Sequence, residues 1–151
     1  YINASDAVTD VSYSDYGVTY TGMDGLTIGY GTGDVENVTN AKSTESTLFA
    51  KYAMGSVTVG IQKNEKDLDS GTDTESTGIG ISYQVNDDLT VSYGTNTIEK
   101  SGSDDQEAQA IGISYTMGSL GIALSMNTVD NIDNSATNDR DAYQLGLSFA
   151  F

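Results

Sequence analysis

Hydrophobic residues recur at every second position in nine segments of this chain. A period of two is typical of β-strands, because successive side chains of a strand point to opposite faces of a sheet. The pattern therefore predicts nine strands and an all-β protein. The hydrophobic positions are, in chain order, Tyr16, Val18 and Tyr20; Leu26, Ile28 and Tyr30; Leu48, Ala50 and Tyr52; Val57, Val59 and Ile61; Ile79, Ile81, Tyr83 and Val85; Leu89, Val91 and Tyr93; Ile111, Ile113, Tyr115 and Met117; Leu120, Ile122, Leu124 and Met126; Tyr143, Leu145, Leu147, Phe149 and Phe151.

The connections between these segments alternate between short and long. Four short connections have the length and residues of hairpin turns, and four longer ones are polar. This alternation predicts an antiparallel, up-and-down sheet with turns at one rim and loops at the other, as in a transmembrane β-barrel. The predicted turns are 22–25, 54–56, 86–88 and 117–119, and the predicted loops are 34–45, 63–76, 97–107 and 127–141.

The alternate positions of the same segments carry small, nearly uncharged side chains. Such side chains cannot fill a core, and they lack the charges that protect the outer face of a soluble sheet. They suit the wall of a water-filled lumen, where small residues leave the bore open. The predicted lumen-facing residues are Thr19, Thr27, Lys51, Thr58, Gln62, Ser82, Thr90, Ser92, Ser114 and Ser125.

Four tyrosines, Tyr20, Tyr52, Tyr83 and Tyr115, each stand shortly before a short turn. Tyrosine is enriched where a membrane meets water, because its ring is apolar and its hydroxyl is wet. We therefore predict an aromatic girdle at the turn rim, with Phe149 and Phe151 of the last segment as further members. The alternative is four unrelated strand tyrosines, since tyrosine also favours strands.

Composition narrows the classes of function. Of 151 residues, 22 are acidic and six basic, for a net charge of −16, which argues against binding nucleic acid. The sequence contains no run of 18 apolar residues, so it predicts no transmembrane helix. Histidine and cysteine are absent, which removes the Ser–His and Cys–His nucleophiles and any thiolate metal site. We therefore do not expect an enzyme.

Two acidic clusters are candidates for a bound Ca²⁺, the one cofactor considered. The first comprises Asp67, Asp69, Asp73 and Glu75 around Gly71. The second cluster comprises Asp130, Asp133, Asp139 and Asp141. Neither cluster matches the spacing of an EF-hand loop, and we favour solvated loops for both. Such loops can also contact lipopolysaccharide through divalent ions.

The last segment, with aromatic residues at alternate positions up to Phe151, resembles the final strand of bacterial outer-membrane barrels. With the turn and loop pattern, the whole chain resembles the C-terminal half of a Gram-negative general diffusion porin of the alphaproteobacterial type. The resemblance implies that residues 1–151 belong to one transmembrane barrel of sixteen strands, with residues 1–12 as the tail of a preceding loop. It also implies a homotrimer in outer-membrane lipid and lipopolysaccharide, and recognition of Phe151 by the barrel-insertion machinery.

The expected function is passive diffusion of small hydrophilic solutes and ions through the lumen. The net charge of −16 predicts a preference for cations, because acidic loops at one rim raise the local cation concentration. Two alternatives stay open. One is the barrel anchor of an adhesin or autotransporter, and the other is a secreted or fibrous all-β protein.

Overall fold

One antiparallel sheet contains every strand that the structure describes. The structure is a computed structural model and describes residues 2–6, 9–36 and 42–150. Neighbours in the sheet are neighbours in the chain throughout, which confirms the predicted all-β, up-and-down arrangement. The strands are β1 (Ile2–Asp6), β2 (Thr9–Met23), β3 (Leu26–Glu36), β4 (Lys42–Met54), β5 (Val57–Leu68), β6 (Thr74–Gln84), β7 (Leu89–Lys100), β8 (Gln106–Met117), β9 (Leu120–Asp130) and β10 (Arg140–Phe149).

Strands β2–β10 correspond to the nine predicted segments, and β1 is an addition. We predicted residues 1–12 as the tail of a loop, but Ile2–Asp6 pairs with the first part of β2, which itself begins at Thr9. Backbone pairing satisfies N–H and C=O groups whatever the side chains are, so a strand can form here without regular hydrophobic alternation. A single 3₁₀ turn, Ile132–Asn134, precedes β10. Within the described ranges no helix is long and apolar enough to cross a membrane.

The strands continue well into the segments that we predicted as long loops. The connections between strands shrink to residues 69–73, 101–105 and 131–139, while 37–41 lie outside the described residues. Polar residues such as Thr44, Asn64 and Thr97 remain paired with the neighbouring strand. Hydrophobic alternation ends where both faces are polar, but the hydrogen-bonded ladder does not, and this explains the difference.

The short turns lie where they were predicted, and glycine makes three of them possible. Gly25, Gly55 and Gly118 have φ of 74°, 57° and 61°, a region that other residues rarely adopt. The fourth turn instead uses Asn86, whose side-chain oxygen accepts hydrogen bonds from the backbone N–H of Asp88 and of Leu89, both at 2.9 Å.

The sheet has no core. No described hydrophobic side chain is fully buried, and residues as large as Tyr143 and Phe149 are 75% and 61% exposed. A soluble sandwich would cover one face of its sheet with a second layer. This sheet therefore requires another apolar environment on its hydrophobic face.

The register shows how the strands slant relative to the turn rim. Leu26 pairs with Tyr52, two residues before the end of β4, and Leu89 pairs with Tyr115, two residues before the end of β8. Each hairpin is thus displaced by two residues from the one before it. With ~3.3 Å per residue and ~4.8 Å between strands, this stagger corresponds to a tilt of roughly 35°. Transmembrane barrels have tilts of this size.

Candidate functional site

Within the described strands, the nine sets of alternating hydrophobic residues lie on one side of the sheet, here called the apolar face. Cross-strand pairs join them without interruption: Val59 pairs with Ile81, which pairs with Tyr93. The face ends sharply on the loop side, where the last hydrophobic residue of each strand is followed by a polar one two positions on. From β4 to β10 these boundary pairs are Leu48 and Ser46, Ile61 and Lys63, Ile79 and Thr77, Tyr93 and Thr95, Ile111 and Gln109, Met126 and Thr128, and Tyr143 and Asp141.

The predicted girdle residues follow the turn rim on the apolar face. Tyr20 pairs with Ile28. Each later member lies two residues nearer the turn rim than the row of paired residues that contains the member before it. These members are Tyr52, Tyr83, Tyr115 and Phe149. This displacement equals the stagger of the hairpins, so all five keep a constant height above the turns. Phe151 lies outside the described residues.

All ten predicted lumen-facing residues share the opposite side of the sheet, here called the small-residue face. Direct pairs such as Thr58 with Ser82, Ser82 with Ser92, and Thr90 with Ser114 place them side by side. Lys51 pairs with Thr27 on one side and Gly60 on the other. The residues are therefore brought together as one surface, as their alternation predicted, and their contact with a lumen stays a prediction.

A shallow concavity of about 740 Å³ runs along the small-residue face from β4 to β9. Its floor is low because Gly60, Gly80 and Gly94 stand opposite one another on three adjacent strands. Lys51 is the one charged side chain among the residues that line it.

Phe49 is the functional candidate that the sequence reasoning missed. It lies on the small-residue face, between Gly29 of β3 and Gln62 of β5. A Cβ atom added at Gly29 would overlap the Phe49 ring, so the ring lies across the bare glycine backbone. The signal was available, because Phe49 falls between Leu48 and Ala50 of the predicted apolar positions and must therefore point the other way.

Hydrogen-bonded amides and hydroxyls occupy the loop half of the small-residue face. Asn64 Oδ1 accepts hydrogen bonds from Thr47 Oγ1 and Gln62 Nε2, both at 2.9 Å. Asn96 Oδ1 accepts one from Ser76 Oγ at 3.0 Å. These groups add uncharged hydrogen-bonding atoms to the part of the face that also carries the Lys66–Glu45 ion pair.

Beyond the boundary of the apolar face, its register becomes acidic. Glu65, Glu75 and Glu99 stand directly opposite one another on β5, β6 and β7. Like charges in such positions repel. Lys63 lies beside them, with its Nζ 2.8 Å from Glu65 and 3.0 Å from Glu75, and offsets part of this repulsion.

The structure spreads the first calcium candidate over a hairpin. Asp67 lies in β5 and Glu75 in β6, while Asp69 and Asp73 lie in the turn between them. The Asp73 carboxylate accepts a hydrogen bond from the backbone N–H of Leu68 at 2.8 Å and so closes this turn. Among residues 2–6, 9–36 and 42–150, no three acidic side chains are grouped closely enough to hold a metal ion.

The second acidic cluster surrounds the 3₁₀ turn. Asp130 ends β9, Asp133 lies in the turn, and Asp141 lies in β10. The Asp139 carboxylate accepts a hydrogen bond from the backbone N–H of Asn131 at 3.0 Å. That carboxylate shapes the loop, and the interpretation of both clusters as solvated loops, favoured over calcium sites, stays a prediction.

Comparisons with known proteins identify the fold. No protein-family model and no curated protein matches the chain. Among solved structures, the anion-selective porin from Comamonas acidovorans is similar, with a TM-score of 0.75 and 17% identity over 92% of this chain. A KdgM porin is similar with a TM-score of 0.57 and 13% identity over 96% of this chain.

The chain spans about half of the Comamonas porin, 49% of its length, and 78% of the KdgM porin. At these identities the likeness shows the fold alone. The described sheet has the fold of part of a porin barrel.

Proposed function

We propose that this chain forms part of the wall of an outer-membrane porin in a Gram-negative bacterium. The observation that carries the proposal is the sheet itself, which has a continuous apolar face, an opposite small-residue face and no core. A membrane barrel needs both faces, with lipid outside and water inside. A secreted or fibrous sheet would leave the apolar face in water.

The proposed channel works by passive diffusion and needs no catalytic residue. The apolar face contacts lipid, while the small-residue face leaves room for water and for small hydrophilic solutes. The hydroxyls and amides of Ser82, Ser92 and Gln62 replace part of the hydration of a passing solute. Selection then depends on the width and charge of the bore.

Channel recording tests this proposal. The protein is purified from outer membranes in detergent and added to a planar lipid bilayer under an applied voltage. Stepwise, ohmic increases in conductance are the expected result. A protein that partitions with buffer rather than detergent, and that gives no conductance steps, would contradict the proposal.

We extend the proposal to assembly. The barrel has sixteen strands, of which β2–β10 provide nine, and three copies associate as a homotrimer. Outer-membrane lipid contacts the apolar face, and lipopolysaccharide meets the acidic residues beyond its boundary. The alphaproteobacterial general diffusion type stays a prediction from the resemblance, and the fold comparison supports only the wider porin class.

Insertion into the membrane is proposed to depend on Phe151. Deleting Phe151 should lower the amount of assembled protein in the outer membrane but leave barrels that do assemble nearly as stable as the wild type. Pulse-labelling followed by heat-modifiable gel mobility measures both quantities. Tyr143→Ala, which removes an aromatic side chain eight positions before Phe151 in the sequence, is the control. Wild-type assembly rates after the deletion would contradict the role of Phe151.

The preference for cations has no support beyond the net charge. One of the two similar porins is described as anion-selective, although that description belongs to that protein. In this chain, moreover, the acidic strand residues concentrate in the register of the apolar face. Selectivity therefore needs an argument from the position of each charge rather than from their sum.

A further inference from the structure

The strand register separates the charges of this chain by face. Within residues 12–36 and 42–149, the strand residues of the small-residue face include four basic and two acidic side chains. Within the same residues, the register of the apolar face carries two basic and nine acidic ones. The charged residues of the small-residue face are Lys51, Lys66, Lys100, Arg140, Asp15 and Glu45. The net charge of −16 is therefore not the charge of the small-residue face.

Lys51 differs from the other basic residues of this face in its depth. Lys66 is held by Glu45 at 2.6 Å, and Lys100 and Arg140 lie at the loop ends of β7 and β10. Lys51 instead stands between Ala50 and Tyr52, which belong to the apolar face. At the level where the other side of the sheet meets lipid, Lys51 is the one charged residue of the described small-residue face.

The surroundings of Lys51 leave its charge uncompensated. Within the described ranges it forms no ion pair, and no carboxylate lines the concavity that it shares with Phe49 and Gln62. Its direct partners, Thr27 and Gly60, are neutral. In a narrow passage with low-dielectric walls, a single fixed charge attracts ions of opposite sign into the passage.

We infer that Lys51 is a selectivity-determining residue that makes this section of the wall favour small anions, such as chloride or simple carboxylates. The inference rests on the proposed channel function. Most acidic residues lie elsewhere, in the register of the apolar face and in the loops. Their field is screened within about 10 Å at 0.1 M salt. An anion that moves along the small-residue face comes close to the Lys51 ammonium.

Reversal potentials test the inference. The protein purified from outer membranes is reconstituted in a planar bilayer under a KCl gradient, and the permeability ratio of chloride to potassium is measured for single channels. Lys51→Gln should lower this ratio about sevenfold, because a unit charge about 7 Å from the path of the ion in water attracts chloride by about 0.6 kcal/mol and repels potassium by the same amount. Lys51→Glu should lower it further, and Lys51→Arg should keep it.

Lys42→Gln is the matched control, because it removes the same charge from the register of the apolar face, where Lys42 lies 3.7 Å from Glu36. It should leave the ratio unchanged. Channels of normal conductance with the same ratio in Lys51→Gln and wild type would overturn the inference but not the proposed function. Absence of channels in the wild type would overturn both. Because single channels are recorded, only folded protein contributes to the ratio.

Discussion

The apolar face and the small-residue face belong to the same strands, yet they obey opposite requirements. Ile81 and Ser82 are consecutive residues, and the first belongs to a continuous hydrophobic surface while the second faces Thr58 and Ser92. Neither face is covered by protein in the described structure. The comparison teaches that the medium on each side, rather than a shared core, selects the residues of each face. It also means that a register slip of one residue would exchange the two faces along a whole strand.

The largest expected effect comes from placing the same charge on the two faces in turn. Ile81→Arg puts a guanidinium in the middle of the apolar face and should reduce the free energy of unfolding by about 2–4 kcal/mol. Ser82→Arg, one residue away, should cost far less, because the small-residue face is hydrophilic. Guanidinium-induced unfolding in lipid vesicles measures both variants. Equal losses would break the comparison between the faces.

A second prediction concerns how well the small-residue face is packed. Gly29→Ala would force the Phe49 ring from its place and should cost about 1–2 kcal/mol, as other overpacked sites do. Gly60→Ala on the same face is the control. Its added Cβ would meet nothing nearer than the Ala50 oxygen at 3.7 Å, so unfolding should change by less than about 0.5 kcal/mol. Identical stabilities would show that Phe49 does not depend on the bare glycine.

The smallest expected effect lies beyond the boundary of the apolar face. Lys63→Gln leaves Glu65 and Glu75 opposed without their shared cation and should lower the unfolding midpoint slightly. Since these side chains are exposed, high salt should remove the difference. Adding Glu75→Gln to the first change should restore the midpoint. A loss that salt does not reduce would place these residues in a less solvated environment than the structure shows.

Periodicity predicted most of the fold, because the face of a strand residue depends only on whether its position is odd or even. The ten residues predicted for the lumen share one face for that reason. The same odd–even rule places Phe49 on that face, although Phe49 was not among the predicted residues. The predicted loops were too long, since polar pairs such as Asn64 with Ser76 continue the ladder without hydrophobic alternation. The strand Ile2–Asp6 was not predicted, because it also lacks regular hydrophobic alternation.

Charge was harder to interpret from the sequence than fold. The sum of −16 says nothing about which side of a strand each residue occupies, and the cation preference rested on that sum and on assigning the acidic residues to loops at one rim. Lys51 and Lys63 carry the same charge and lie on neighbouring strands, but the register places them on opposite faces. Cross-strand pairing was needed for charges such as Lys63, which lie in segments predicted as loops and which the structure places in strands.

The strict alternation has a consequence for the journey of the chain before it folds. No more than three hydrophobic residues are ever consecutive, although hydrophobic residues make up 37% of the chain. A translocation channel that releases helices of about 20 apolar residues sideways into the inner membrane would find no such segment here. In water the unfolded chain is a polar polymer of mean hydropathy −0.31, and its apolar surface is created only when the strands pair. The proposed porin chain can therefore cross the inner membrane unfolded and form its apolar face only on folding into the outer membrane.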